Sequence, residues 1–272
     1  MNILEQIIAD KQNEVERNKS LYPVALLEQS IYFGTPSVSI KEYLRRDDKI
    51  GIIAEIKRKS PSKGVINQHI SVERTSIGYM QAGASALSVL TDQKYFGGKN
   101  EDLSIARKFN YCPILRKDFV IDEYQIIEAK SIGADVVLLI GSVLKPYRLR
   151  QLASFAKSIG LETLLEVHAV EELQKSINEY VDVVGVNNRD LRDFSVGIEA
   201  SLALAEVIPS EFVKISESGI STPETLLQLK DAGYQGFLMG ESFMRSSRPE
   251  KACENFVNDV LSLMNSAEKK QA

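Results

Sequence analysis

The stretch Ile50-Gly-Ile-Ile-Ala-Glu55-Ile-Lys57-Arg-Lys59-Ser60-Pro-Ser-Lys-Gly64 decides how the chain is read. Ile50 to Ile56 is apolar and rich in β-branched residues, the composition of a buried strand. Side chains alternate along a strand, so residues two apart share a face. If Glu55 points inward, Lys57 does too, at or just past the strand end. Lys59 continues that face as long as the chain stays extended. Pro61 and Gly64 then break the strand into a loop. Charges gathered at the end of a buried strand are costly unless they pair or do chemistry. Alone, the stretch fits a structural ion pair with a solvated basic loop as well as it fits a reactive centre. The rest of the chain separates the two.

Downstream, short apolar runs at 50–56, 86–90, 114–115, 136–140, 163–167, 183–186, 212–215 and 236–239 alternate with amphipathic segments. Those segments lie at 71–81, 100–109, 123–131, 145–158, 170–179, 199–207, 223–231 and 249–263. Strict alternation of strand and helix predicts a parallel sheet. Eight such units fit a (β/α)8 TIM barrel. No Gly-x-Gly-x-x-Gly follows the first strand, which removes the commonest argument for an open dinucleotide-binding sheet. Gly83, Gly133 and Gly233 each fall between a helix and the next strand, where glycine caps helices, so they take no ligand role. Before Ile50 there is no strand signal. The stripe Ile3, Leu4, Ile7, Ile8, Val15 predicts a helix over 3–19, with shorter ones over 23–29 and 40–46. The expected organisation is one domain, 1–272: an N-terminal helical extension over 1–48, the barrel over 49–265 and a short polar tail over 266–272.

The chain has 272 residues, 44% hydrophobic and 26% charged, as in globular proteins. A net charge of −4 and a pI near 5.5 argue against nucleic acid as a partner, so the local basic residues point to a small anion. Cys112 and Cys253 have no metal-ligand spacing and suggest reduced thiols in a cytoplasmic protein. The first residues do not form a secretory leader, and no apolar run is long enough for a membrane span. The expected partner is a small-molecule substrate, with no nucleic acid or membrane and a monomer or weak homo-oligomer as the assembly. With no clustered His, Cys, Asp or Glu at ligand spacing, no metal is expected.

Polar residues gather at the strand ends. The first strand ends with Glu55 and Lys57, and the third leads into Arg116-Lys117-Asp118-Phe119. The fifth ends Glu166-Val167, the sixth Asn187-Asn188-Arg189, the seventh Ser216-Glu217-Ser218-Gly219 and the eighth Gly240-Glu241-Ser242. In a barrel these ends converge on one mouth, where active sites of that fold lie. Lys117 and Glu166 close odd-numbered strands and reach the same volume, an ammonium to donate a proton and a carboxylate to accept one. Lys57 is placed to stabilise developing negative charge or a substrate carboxylate, Glu55 to hold the lysines, and Asn187 to hydrogen-bond a hydroxyl. Ser218-Gly219 and Gly240-Glu241-Ser242 offer unobstructed backbone N–H groups for a phosphate, with Lys59 and Ser60 adding a charge and a hydroxyl. Arg189 and Glu217 join the substrate-contacting set. His168 reads as a solvated loop residue, and His69 has no partner motif. Ser60, Ser216 and Ser218 lack a His–Asp partnership. Phe96 and Phe119 read as core or lid residues, with a second use against an aromatic ring.

Several motifs closely resemble the indole-3-glycerol phosphate synthase family of tryptophan biosynthesis. They are Ile-Ile-Ala-Glu-Ile-Lys-Arg-Lys-Ser-Pro-Ser (52–62), Leu-Ser-Val-Leu-Thr-Asp-Gln-Lys-Tyr-Phe-Gly-Gly (87–98), Pro-Ile-Leu-Arg-Lys-Asp-Phe (113–119), Leu-Leu-Glu-Val (164–167), Gly-Val-Asn-Asn-Arg-Asp-Leu (185–191), Ser-Glu-Ser-Gly-Ile (216–220) and Phe-Leu-Met-Gly-Glu-Ser (237–242). The resemblance covers nearly the whole chain. It implies a TIM barrel with a helical extension over the mouth, in the monofunctional form. The implied substrate is 1-(2-carboxyphenylamino)-1-deoxyribulose 5-phosphate, closed to an indole ring with loss of carbon dioxide and water. It implies Lys117 as general acid for ring closure and Glu166 and Lys57 for the later proton transfers. The acid–base chemistry that the resemblance implies needs no organic cofactor. Glu55, Asn187 and Ser218 match further active-site positions. Lys59, Ser60, Gly219, Gly240 and Glu241 match phosphate and substrate contacts. Leu90, Phe96, Phe119 and Leu138 match the apolar wall around the anthranilate ring. Asn188 departs from the pattern, where a serine is common. Two other readings fit parts of the same inventory: phosphoribosylanthranilate isomerase or another phosphosugar barrel, and a non-enzymatic sugar-phosphate binder. An isomerase needs no Glu55-Lys57-Lys59 cluster, and a binder needs no Lys117–Glu166 pair.

Overall fold

The computed structural model describes residues 3–189 and 195–271, with side chains through 266. Strands β1 (Ile52–Ile56), β2 (Ala86–Leu90), β3 (Ile114–Lys117), β4 (Val136–Ile140), β5 (Glu162–Val167), β6 (Val183–Asn187), β7 (Val213–Glu217) and β8 (Gly236–Met239) close into a barrel in chain order, every pairing parallel. Helices α1 (Ile3–Leu21), α2 (Val24–Leu27) and α3 (Ile40–Leu44) precede the barrel. Around it lie α4 (Val72–Gln81), α5 (Gln93–Phe96), α6 (Asn100–Phe109), α7 (Glu123–Ile132), α8 (Pro146–Ser158), α9 (Val170–Ser176), α10 (Glu199–Leu204), α11 (Pro223–Asp231), α12 (Glu241–Met244) and α13 (Pro249–Gln271). The (β/α)8 expectation and the helical N-terminus are both present.

Alternation along the strands builds two apolar layers. Ile53, Ala86, Leu115, Val136, Leu138, Leu164, Val183, Val213, Ile215 and Leu238 fill the interior, and Ile40 and Leu44 of α3 pack against them. The neighbouring positions, such as Ile52, Leu87, Val137, Leu165, Val184 and Phe237, pack outward against the helices. Local chemistry starts the helices where the sequence places them. Ser71 and Thr222 accept backbone N–H bonds as N-caps of α4 and α11. Asp122 and Gln125 form a reciprocal capping box on α7.

Boundaries differ where polar residues occupy ordered backbone. β3 runs on to Lys117 and β7 to Glu217, because Leu90 and Asn187 pair with them in the ladder. A hydropathy reading ends both strands too early. α9 stops at Ser176, short of 179, where the Asn178 side chain accepts the Tyr180 N–H and turns the chain. α13 continues to Gln271, through the segment read as a polar tail; Ala-Glu-Lys-Lys-Gln are good helix formers with no Gly or Pro to stop them. Lys59–Ser60 does not extend β1 but pairs antiparallel with Gly64–Val65.

α1 lies at the C-terminal end of the barrel. Its buried residues are Ile7, Lys11 and Val15, at helical spacing. Lys11 is 1% exposed and reaches Asp92 at 3.0 Å and Asp118 at 2.9 Å, in the loops after β2 and β3. Among the described residues no helix is long and apolar enough to cross a membrane.

Candidate active site

The inward row continues upward past the apolar layers into a charged one. Glu55 lies two residues above Ile53, Lys117 above Leu115, Glu166 above Leu164, Asn187 above Gly185, and Glu217 above Ile215. Lys117 is the hub. Its Nζ lies 2.5 Å from Glu166 Oε2 and 2.8 Å from Glu217 Oε2. Lys57 Nζ lies 2.8 Å from Glu55 Oε1, and Ser88 Oγ donates to Glu55 Oε2 at 3.3 Å. Asn187 Nδ2 donates to the other oxygen of Glu166 at 3.2 Å, while its Oδ1 accepts from Ser218 Oγ at 3.0 Å.

Two glycines make room for this layer. A Cβ on Gly185 would fall 2.4 Å from Glu217 Oε1, and one on Gly240 would fall 2.8 Å from Glu55 Cβ. Ser218 holds a left-handed backbone with φ 66°, which a side chain rarely adopts. That turn aims its hydroxyl at Asn187 and opens the backbone of Ser218-Gly219 toward the mouth.

Burial and charge set these groups apart. Burial pushes the Lys117 ammonium toward neutrality, but Glu166, Glu217 and Glu55 outweigh it and hold the proton on. Burial raises the Glu166 carboxyl, yet Lys117, His168 and Asn187 overcome this and leave it below its ordinary value. Glu217 moves the other way, up to about 7, through burial and the neighbouring Glu166 charge, which Lys117 only partly offsets. Its Oε1 is buried with no hydrogen-bond partner among the described residues. Two carboxylates share one ammonium, so their protons leave in two steps that belong to the pair, one below the usual carboxylate range and one near neutrality.

Over this floor stands an apolar wall of Leu90, Phe96, Phe119, Leu138, Ile140 and Leu238, closed from above by Ile3, Leu4 and Ile7 of α1. The Phe96 and Phe119 rings are tilted against each other, with centroids 6.1 Å apart. Beside the wall a second pocket is lined by Lys57, Lys63, Arg189 and Arg245 together with Ser218, Gly219, Gly240, Glu241 and Ser242. A slot for a flat ring, a charged floor and a cationic end with exposed backbone suit an aromatic sugar phosphate.

A family model described as indole-3-glycerol phosphate synthase matches residues 4–256. The chain belongs to the indole-3-glycerol phosphate synthase family. The indole-3-glycerol phosphate synthase of Bacteroides thetaiotaomicron is 46% identical over 259 residues, covering 95% of this chain and 99% of its own length. That of Carboxydothermus hydrogenoformans is 40% identical over 259 residues, covering 92% and 98%. A chain of the solved tryptophan synthase α2β2 complex of Pyrococcus furiosus superposes with a TM-score of 0.58 at 14% identity, over 79% of this chain and 99% of that one, a likeness of fold.

Within this family member, most of the sequence-predicted residues meet in one place. Glu55, Lys57, Ser60, Leu90, Phe96, Lys117, Phe119, Leu138, Glu166, Asn187, Arg189, Glu217 and Ser218 all line the wall-and-floor cavity, and Gly219, Gly240 and Glu241 line the cationic pocket beside it. Lys59 is not brought in. The chain turns into the hairpin after Lys57, and Lys59 Nζ donates instead to the Lys94 carbonyl at 2.6 Å. Glu217, grouped by sequence with substrate contacts, is a direct partner of Lys117. Glu241 lies in the anion pocket as a counter-charge, with Arg189 at 3.2 Å and Arg245 at 2.5 Å. Asn188 faces away from both cavities and ties β6 to β7 through Ser216 Oγ and the Glu217 and Ser218 carbonyls.

His168 is not a solvated loop residue: its side chain is 15% exposed and lies behind Glu166. Sequence reasoning also missed Lys63 and Arg245 in the anion pocket, Ile140 and Leu238 in the wall, and the Lys11 clasp. Leu138 came from the family resemblance; Ile140, two residues further along the same strand, was open to strand parity from it. Lys63, Arg245 and Lys11 follow from loop and helix packing, which strand parity does not reach.

Proposed function

We propose that this chain converts 1-(2-carboxyphenylamino)-1-deoxyribulose 5-phosphate to indole-3-glycerol phosphate, carbon dioxide and water, a lyase step of tryptophan biosynthesis. The observation that carries the reading is Lys117, held as an ammonium between Glu166 and Glu217 at the foot of an aromatic slot with a cationic pocket at its side.

The anthranilate ring lies between Phe96, Phe119, Leu90 and Leu138, and the phosphate takes the Ser218–Gly219 and Gly240–Ser242 backbone with Arg189. As the ring carbon bearing the carboxylate attacks the sugar carbonyl, a carbon–carbon bond forms and the carbonyl oxygen takes a proton from Lys117. Lys57, beside Glu55, holds the substrate carboxylate until its bond breaks and carbon dioxide leaves with the ring electrons restored. In the final dehydration a proton leaves the methylene carbon beside the nitrogen as the hydroxyl leaves the adjacent carbon, which forms the carbon–carbon double bond of the indole and releases water. Glu166 and Lys57 supply the base and the acid, and Asn187 and Ser218 orient the hydroxyl. Each step is proton transfer or charge stabilisation, which these side chains furnish themselves. α1 over the slot excludes water. The same reading makes residues 1–48 a cover on a single barrel domain and places the protein in the cytoplasm, as a monomer or a weak homo-oligomer.

Incubating the purified chain with this substrate and following indole absorbance and released carbon dioxide tests the reading. Turnover of phosphoribosylanthranilate instead, or tight binding with no carbon dioxide, overturns it.

A further inference from the structure

His168 is left over from that chemistry, although it lies against one of its central groups. It follows β5 two residues after Glu166. Its Nε2 is 3.9 Å from Glu166 Oε1, buried and without a hydrogen-bond partner among the described residues. Its Nδ1 is 3.4 Å from Glu172 Oε2 on α9, and the same oxygen accepts the His168 backbone N–H at 2.8 Å. Glu172 therefore pins the residue at both its backbone and its ring, and leaves the far ring nitrogen aimed at Glu166.

We propose that His168 is a positioning residue for Glu166, a cationic imidazole bridging the Glu172 and Glu166 carboxylates. The role rests on the place given to Glu166 in the proposed reaction. The second oxygen of Glu166 is occupied by Lys117 from β3, and Oε1 by Asn187 from β6 at a longer 3.2 Å. A positive ring behind Oε1 holds the carboxylate ionised and fixes its plane, so that Glu166 stays a ready base. The titratable groups facing the ring are Glu166 on β5, Glu172 on α9 and Glu217 on β7, with Lys117 beyond Glu166. Burial disfavours the imidazolium, but the Glu172 hydrogen bond and the Glu166 charge outweigh it, so the ring holds its proton to higher pH than a free histidine.

The chain has two histidines, so the ring signals are easily separated by NMR on the full-length labelled protein, with His69→Gln assigning the exposed one. The His168 midpoint should lie above 6.5 and fall by about 1 unit in Glu166→Gln and again in Glu172→Gln. A midpoint indifferent to both changes overturns the bridge. A second readout is the pH profile of kcat. His168→Gln keeps a donor of similar reach but no charge, and should move the acid limb up by about 1 unit, because Glu166 then protonates more easily. A uniform drop in kcat with no displaced limb marks a packing role and overturns the proposal. Absence of turnover in the parent protein would strike the functional reading alone, since the NMR titration judges the bridge without catalysis.

Discussion

Two buried lysine–carboxylate clusters stand side by side at this barrel mouth, and only one has anything left to do. At the clasp, Asp118 Oδ1 takes Lys11 at 2.9 Å and the Phe119 N–H at 2.8 Å, while Oδ2 takes Thr91 Oγ1 at 2.6 Å and Arg116 at 3.4 Å. Burial would raise its carboxyl, but Lys11 and Arg116 hold it down at about 2. In the floor cluster, Glu217 has one oxygen on Lys117 and the other without a hydrogen-bond partner among the described residues, and its carboxyl rises to about 7. Both groups are almost wholly buried. Burial therefore does not by itself make a proton carrier; incomplete partnering does. The clasp uses its charges to fasten α1, and the floor keeps its charges poised.

Breaking the floor should have the largest effect. Lys117→Ala should lower kcat about a hundred- to ten-thousand-fold while the far-ultraviolet circular dichroism stays that of a folded barrel; near-normal turnover would remove Lys117 from the mechanism. Breaking the clasp should act on docking instead of chemistry. Lys11→Met leaves Asp92 and Asp118 buried without their ammonium and should weaken the seating of α1 by about 3–5 kcal/mol. The signature is lost hydrogen-exchange protection over residues 3–21 with the barrel strands unchanged. Acid should imitate it. Asp118 is depressed in the fold, so its contribution is complete above the unfolded value of about 4 and is lost as pH falls toward 2.

A third change sharpens the contrast in titration. Glu217 is raised in the fold, so the native state keeps a proton that the unfolded chain releases, and stability drains away as pH rises from about 4 to 7. Glu217→Gln escapes that loss. Its melting temperature should gain on the parent between pH 5 and pH 8, while the activity profile loses its limb near neutrality. Parallel melting curves at both pH values would show that Glu217 does not titrate there. The smallest effect belongs to the exposed edge of the clasp. Asp10, half-buried, meets the exposed Lys94 at 2.6 Å and accepts from the Tyr95 hydroxyl, and Asp10→Ala should lower the melting temperature by only about a degree or two.

Much of the floor was legible because strands impose a period of two. Once Ile53 is inward, Glu55 and Lys57 follow, and the same parity from Leu115, Leu164 and Ile215 delivers Lys117, Glu166 and Glu217. Lys59 shows where parity fails: it holds only for extended backbone, and the hairpin at Lys59–Ser60 and Gly64–Val65 sends that side chain to the Lys94 carbonyl. Lys11 was hidden for a different reason. It interrupts an apolar helical stripe, and a lone lysine there reads as solvent-facing until Asp92 and Asp118, far along the chain, are seen to surround it. His168 was likewise read as a solvated loop residue; Glu166 and Glu172 are close in sequence, but only the course of the chain after β5 places the ring between them.

The order of elements, the inward face of each strand and the family itself were fixed by residue pattern, since each depends on neighbours a few positions away and on side-chain chemistry. Which carboxylate shares which ammonium, which one keeps an unpaired oxygen, and which cations gather at the anion pocket were decided only by closing the barrel. Those are contacts between residues as distant as Lys117 and Glu217, and their strength depends on how much water the closed structure excludes.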